Sequence, residues 1–137
     1  MRTWIEISKA AVLQNLSVIQ TFSHEKSIGF VIKSNAYGHG ADVILDILNS
    51  VSHVFLVHEI FFFVAYKEEG VAARALTNKP IIIMGDSIDD ELLHICYLYN
   101  FIATIYNRYA AEFFSVHVDK PFSVCIKLET GLYRLGI

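Results

Sequence analysis

A chain of 137 residues, 54% hydrophobic and only 18% charged, has room for one domain but falls short of the roughly 200–250 residues of a complete α/β barrel. Its charged fraction lies below the about 25% usual in soluble domains, and its mean hydropathy of +0.44 calls for strands buried on both faces or a surface meant for a partner. A net charge of −3 with eleven scattered Lys and Arg residues offers no basic face for nucleic acid.

The two cysteines, Cys96 and Cys125, sit in no metal-ligand spacing and give no disulfide framework. The opening Met1-Arg2-Thr3-Trp4-Ile5-Glu6 lacks the apolar core of a signal peptide. A reducing cytoplasm is the expected compartment.

In chain order, Trp4 to Ile7 reads as a short strand closed by Ser8, a good N-cap. Val12, Leu16 and Ile19 recur at helical spacing, with Leu13 widening the stripe, which predicts a helix over 9–21. Gly29 to Ile32 is an apolar run of the kind that forms a strand covered on both faces. Val43, Ile44, Ile47, Leu48 and Val51 form a second helix face, and His53 to Val57 reads as the next strand.

Ile60 to Tyr66 is uniformly apolar, yet it leads into Lys67-Glu68-Glu69-Gly70, which has the form of a charged helix end with a glycine stop. Extended back to Ser50, the stretch approaches the lower limit of transmembrane length. Glu59 near its centre, flanked by His53 and His58, argues against a span.

Pro80 to Gly85 reads as a strand with proline at its first residue, where the missing N–H does least harm. Ser87-Ile88-Asp89-Asp90 fits a Ser-x-x-Asp helix start, followed by Ile88, Leu92, Ile95 and Tyr99 on one stripe. Phe101 to Tyr106 is a strand, Asn107 a cap, Tyr109 to Phe114 a helix face, and Phe122 to Leu128 the last strand. Strand starts near residues 29, 53, 80, 101 and 122 therefore alternate with helices. That order implies parallel strands joined by right-handed crossovers, α/β in class and barrel-like before doubly wound.

Ligands of parallel α/β folds meet the carboxyl ends of the strands. Two such ends carry chemistry: Lys33, followed by Tyr37 and His39, and Lys127, followed by Arg134. A lysine there is either solvated at its head with a packed stem, or desolvated, lowered in pKa and nucleophilic toward carbonyls. Gly38 and Gly40 either aim N–H groups at an anion or only make the turn. His39 is either a structural loop histidine or a ligand. His24, His53, His58, His94 and His117 form no paired metal spacing.

The run Val31-Ile32-Lys33-Ser34-Asn35-Ala36-Tyr37-Gly38-His39-Gly40 resembles the pyridoxal-phosphate attachment segment of alanine racemases, V-x-K-[AS]-N-A-Y-G-H-G. A second run, Lys127-Leu128-Glu129-Thr130-Gly131-Leu132-Tyr133-Arg134-Leu135-Gly136, resembles the family's K-x-D-T-G-M-x-R-L-G. Trp4 to Ile7, Asn15, Phe55 to Val57, Gly70 and Pro80 to Gly85 also fall in the family's order, so the resemblance covers essentially the whole chain.

The resemblance implies a partial TIM-type (β/α) barrel of about five parallel strands with alternating helices, preceded by a short strand and helix. Lys33 matches the lysine that holds pyridoxal 5'-phosphate covalently and serves as one of two bases moving the substrate's α-proton. Tyr37 matches a tyrosine at the cofactor phosphate. Arg134 matches an arginine that hydrogen-bonds near the cofactor's phenolic oxygen and helps hold the substrate carboxylate, a task suited to a fixed guanidinium. Lys127 matches a lysine that is carbamylated in some members and steadies that arginine.

By the same resemblance the reaction is interconversion of L- and D-alanine, which supplies D-alanine for peptidoglycan, by a cytoplasmic homodimer, and the stretch alone is expected to aggregate or to need the missing part. The residues themselves point to no metal, membrane or nucleic-acid partner. The chain stops just after the fifth barrel strand. The remaining barrel strands, the carboxyl-terminal β domain, the arginine facing the pyridine nitrogen, most of the phosphate site and the second-base tyrosine from the partner subunit are expected beyond Ile137. The 137-residue stretch is accordingly expected to be inactive alone. Two other readings stand beside this one: a non-catalytic relic or interaction fragment, and a racemase for another amino acid such as serine or lysine.

Several positions depart from the family pattern. Glu129 stands for aspartate, Leu132 for methionine, and Tyr133 for a small or polar residue. Phe61-Phe62-Phe63 stands where Glu-Glu-Ala is usual at a helix start, which points to drift or to packing against another surface.

Overall fold

The computed structural model describes residues 3–23, 26–51 and 59–137. Ser8 opens the first helix, α1 (Lys9–Ser23): its hydroxyl accepts from Ala11 N–H at 3.3 Å and its carbonyl from Val12 N–H at 3.1 Å. The strand expected over Trp4–Ile7 does not form, and Trp4 and Ile5 are 79% and 72% exposed. A β segment without a partner has no ladder to satisfy its backbone, and none of the described strands pairs there.

Five strands, β1 (Ile28–Val31), β2 (Ile60–Val64), β3 (Ile81–Ile83), β4 (Phe101–Ile105) and β5 (Val124–Ile126), form one sheet in the order β1-β2-β3-β4-β5, every neighbouring pair parallel. Strand order that follows chain order has no reversal, and so no switch point of the doubly wound kind; it is the arc of a barrel wall. The expected alternating α/β fold of five parallel strands is what the chain adopts.

Among the described residues, the strand that pairs with β1 is Ile60–Val64. His53–Val57 falls outside the described residues, whereas Ile60–Val64, read from sequence as the approach to a helix end, is β2. Lys67 to Gly70 opens α4 (Lys67–Arg74), and Gly70 lies within that helix instead of stopping it. An added Cβ at Gly70 would stand 3.1 Å from the Phe101 ring, so the helix approaches β4 there because the residue lacks a side chain.

Strand alternation explains the three phenylalanines. Ile60, Phe62 and Val64 point to the helix-covered face and are buried, while Phe61 and Phe63 point to the opposite face and are half-buried. Phe61 and Phe63 thus belong to the open concave face of the arc, the barrel interior, and begin no helix. β1, expected to be covered on both faces, alternates half-buried and exposed because it is an edge strand.

The core lies on the convex face. Ile60, Phe62, Val64, Ile81, Ile83, Phe101 and Ala103 pack against Leu45 and Leu48 of α3 (Ala41–Val51), Ala73 of α4, Leu92 and Cys96 of α5 (Asp90–Tyr99), and Phe114 of α6 (Arg108–His117). Asn107 caps α6 as expected, accepting from Ala110 N–H at 2.8 Å. For α5 the cap is Asp89, which accepts from Leu92 N–H at 2.8 Å, and not Ser87. An aspartate two residues later reaches the same kind of amide, with acidic Asp90 and Glu91 favouring the helix's positive end. Among the described residues no helix is long and apolar enough to cross a membrane.

Candidate active site

The backbone after β1 takes an uncommon course. Lys33–Tyr37 form a short helical element, α2, in which Ser34, Asn35, Ala36 and Tyr37 have φ of 51°, 54°, 53° and 55°. This is a left-handed turn built from residues with side chains, each costing roughly 1–2 kcal/mol against the right-handed form. Gly38 and Gly40, with φ of 87° and 90°, carry the chain out of it, where a Cβ would add strain.

Hydrogen bonds hold the turn. Ala36 N–H donates to Ile32 O at 2.8 Å, Gly38 N–H to Ser34 O at 3.1 Å, His39 N–H to Ala36 O at 3.1 Å, and Gly40 N–H to Asn35 O at 3.0 Å. The side-chain oxygen of Asn35 accepts from Ala41 N–H at 2.8 Å and so caps α3. The amides of Gly38 and Gly40 are consumed inside the loop, so the glycines make the turn and cradle no anion. His39 Nδ1 lies 2.8 Å from the Ala36 carbonyl, the structural role of the two considered.

One carboxylate ties this loop to its neighbour. Glu69, on the first turns of α4, accepts from Ser34 N–H at 2.7 Å through Oε1 and from Ala65 N–H at 2.8 Å through Oε2. Sequence reading gave it no role; the signal available was a carboxylate near the start of the helix that follows a strand.

The last strand delivers the second half of the site. Lys127 N–H donates to Ile105 O at 2.9 Å, extending the β4–β5 ladder, and Ile137 N–H donates back to Lys127 O at 2.9 Å. Glu129 N–H meets Ile137 O at 3.0 Å, closing residues 129–137 into a loop. Inside it the Glu129 carboxylate accepts from the amides of Gly131 and Arg134. Amides of Tyr133 and Gly131 foremost hold that carboxyl below the usual glutamate range.

Lys33, Lys127 and Arg134, from opposite edges of the sheet, line one cavity of about 200 Å³ with Ala65, Tyr66, Met84, Gly85 and Leu135. The cavity stands at the carboxyl ends of the strands, as parallel α/β architecture requires. None of the three cationic side chains has a carboxylate partner among the described residues. Lys33 is half-buried, and its Nζ lies 5.6 Å from the centroid of the Tyr37 ring. Tyr37, 62% exposed, does not line that cavity; it borders another with Phe30, Ile32, Ala36 and Ile44.

Beside the cavity a sheltered ion pair braces the same sheet end. Lys67 Nζ lies 3.6 Å from Asp86 Oδ1 and 3.6 Å from Glu91 Oε2. Burial pulls the ammonium's pKa down, but Asp86, Glu91, Glu68 and Asp89 outweigh it and raise it. Tyr106, whose hydroxyl donates to Asp86 O at 3.2 Å, is raised by burial and by the Asp86 charge. No group of three or more His, Cys, Asp or Glu among the described residues is placed to hold a metal.

Comparison with known proteins supplies a second line of observation. The model of the family "Alanine racemase, N-terminal domain" matches residues 7–137. An alanine racemase of Vesicomyosocius okutanii is 30% identical over 137 residues, spanning 100% of this chain and 36% of that protein. One from Wigglesworthia glossinidia brevipalpis is 33% identical, spanning 98% of this chain and 36% of its own. The crystal structure of alanine racemase from Oenococcus oeni superposes with a TM-score of 0.79 at 26% identity, over 96% of this chain and 35% of that one. The chain thus spans about a third of the length of the relatives it matches.

Proposed function

The chain belongs to the alanine racemase family through that family's N-terminal domain, and on that premise we propose that it supplies the cofactor-bearing part of a pyridoxal-phosphate-dependent alanine racemase. The observation that carries the proposal is the convergence of Lys33, Lys127 and Arg134 on one cavity at the carboxyl ends of the strands. One half-buried amine without a carboxylate partner and two cationic neighbours suit an aldehyde that also carries anionic oxygens.

In this reading Lys33 is the attachment point and, once free, one of the two bases that carry alanine's α-proton. Arg134 holds a phenolic oxygen and the substrate carboxylate through its planar guanidinium. Lys127 stands in the same cavity; addition of carbon dioxide to its amine, with loss of a proton, gives a carbamate that would steady Arg134 by charge. Tyr37 is the phosphate-side residue; it does not line that cavity, but its ring lies 5.6 Å from the Lys33 ammonium. When bound, pyridoxal phosphate supplies the electron sink that makes alanine's α-proton removable.

The second base and the remaining phosphate and ring contacts belong, in this proposal, to sequence equivalent to the rest of the longer relatives and to a partner subunit in a cytoplasmic homodimer. The product serves peptidoglycan synthesis. This chain by itself then binds the cofactor without racemising alanine. Incubation with pyridoxal phosphate, borohydride reduction and peptide mass mapping test the reading: a pyridoxyl group on Lys33, lost in Lys33→Ala, is expected. Labelling spread over surface lysines would make the chain a non-catalytic relic.

A further inference from the structure

We infer that Glu69 is the positioning residue of the Lys33 loop, clamping the amide after Lys33 to the end of β2 and thereby fixing where the lysine amine stands in the cavity. The inference rests on the reading of Lys33 as the cofactor-bearing lysine.

Three observations carry it. First, Lys33 has little of its own to hold it: apart from the Tyr37 ring at 5.6 Å, its ammonium has no hydrogen-bond or ion-pair partner among the described residues. Its position is therefore set by its backbone. Second, that backbone turns left-handed at Ser34, the next residue, a conformation that persists only where the surroundings impose it. Third, the external tie at this point is the Glu69 carboxylate, whose Oε1 takes Ser34 N–H at 2.7 Å and whose Oε2 takes Ala65 N–H at 2.8 Å. Ala65 itself lines the cavity with Lys33. The carboxylate is thus a bridge between the ends of two adjacent strands, made of two charge-assisted hydrogen bonds.

The chemistry of the bridge is specific. Two N–H donors need two acceptor oxygens, which a carboxylate has. Glutamine, although isosteric and a good helix former, offers one oxygen and would turn its NH₂ toward the other donor. Aspartate is a methylene short but keeps both acceptors. A residue wanted only for packing would be replaced better by glutamine; a clamp would be replaced better by aspartate.

The full chain, as Glu69→Gln, Glu69→Asp and a Glu68→Gln control, is examined in two ways. Amide hydrogen exchange at Ser34 and Ala65 is read without cofactor. The rate of Lys33 labelling by pyridoxal phosphate is read by borohydride trapping, normalised to exposed Lys120 in the same sample. Glu69→Gln is expected to speed exchange at both amides and slow Lys33 labelling about tenfold, the scale on which charged hydrogen bonds and small misplacements act. Glu69→Asp should restore part of that loss, and Glu68→Gln should behave as the parent. Equal Lys33 labelling in Glu69→Gln and the parent would overturn the inference, as would a Glu69→Asp variant no better than Glu69→Gln. If the parent does not label Lys33 selectively, the proposed function fails instead; the exchange arm still judges the clamp, and unchanged protection in Glu69→Gln would refute it.

Discussion

Lys67 and Asp86 are joined twice: Lys67 N–H donates to Asp86 Oδ2 at 2.6 Å, and the lysine ammonium lies 3.6 Å from Oδ1. Only 13% of the lysine side chain and 7% of the aspartate's are exposed. Asp86 Oδ1 also accepts from Ser87 N–H at 2.8 Å, so one carboxylate ties the end of β3 to the start of α4. Asp86→Ala strands two amides and removes the buried one of the counter-charges around a sheltered cation, a loss of about 3 kcal/mol. Asp86→Asn, which keeps one acceptor oxygen, should lose less. Urea midpoints of the two variants against the parent measure both.

The same corner sets the alkaline limit of stability. Lys67 is raised above 10.5, Tyr106 above 10.0, and Cys96, by burial first and Asp86 second, is pushed up to about 12 from 9.0. In all three the folded state holds its proton more tightly than the unfolded chain does. Their contribution is therefore complete below the unfolded pKa values and is lost as pH rises through the folded ones. Thermal melts should hold steady up to about pH 9 and fall progressively toward pH 12. Cys96→Ala, although less stable from the cavity it leaves, should begin that decline later. A melt profile flat to pH 12 would contradict the assignment.

How far these features could be read in advance differs by kind. That Lys33 and Arg134 fall at the carboxyl ends of the strands was legible, because the alternation of strands and helices puts both residues just after a strand. The three phenylalanines Phe61–Phe63 were misread because a short apolar run has no period of its own; only the register of Phe61 with Gly29 and of Phe62 with Ile81 fixes it as a strand. Glu69 could be picked out only as a carboxylate near a helix start, and its partners could not be read at all. Its partners, the amides of Ser34 and Ala65, are backbone groups that carry no sequence signature. The left-handed turn is likewise hidden, since Ser34 and Ala36 have no propensity for it and adopt it under tertiary constraint.

Asn35 works in that turn both by tolerating its φ of 54° and by capping α3 through Ala41 N–H. Asn35→Ala removes the cap and places a less tolerant residue in the left-handed region. A loss of about 1–2 kcal/mol is expected. Asn35→Gly, which relieves the backbone but lacks the oxygen, should fall between parent and alanine variant in chemical denaturation.

Glu129 governs the loop that carries Arg134, and its role is visible in acid. Its pKa is lowered by the amides of Tyr133 and Gly131 foremost, with burial opposing. A depressed carboxyl contributes order that is present above the unfolded value of 4.5 and is lost as pH falls through the folded one. Amide exchange at Gly131 and Arg134, corrected for intrinsic rates, should therefore stay protected at neutral pH and lose protection in acid below that range. Glu129→Gln should show the unprotected pattern at neutral pH as well, whereas Glu129→Asp should retain the pH dependence.

Two glycines at the site separate backbone strain from collision. Gly38 has φ of 87° with nothing within 4 Å of a would-be Cβ, so Gly38→Ala meets only the left-handed penalty. About 1 kcal/mol is expected. Gly136, at φ of 148°, would place its Cβ 2.6 Å from Glu129 N and 2.9 Å from Glu129 Cα, and backbone cannot swing aside as a side-chain tip can. Gly136→Ala must therefore open the loop at the Glu129–Ile137 hydrogen bond, the contact that closes residues 129–137 beside the Lys33 cavity. Its expected signature is faster exchange at Glu129 and Gly131 with a global denaturation midpoint that moves little, because the loop is exposed. Gly38→Ala should do the opposite, shifting the midpoint modestly while the 129–137 amides keep their protection. Equal behaviour of the two variants would mean that the close approach of Gly136 to Glu129 does not hold the loop shut.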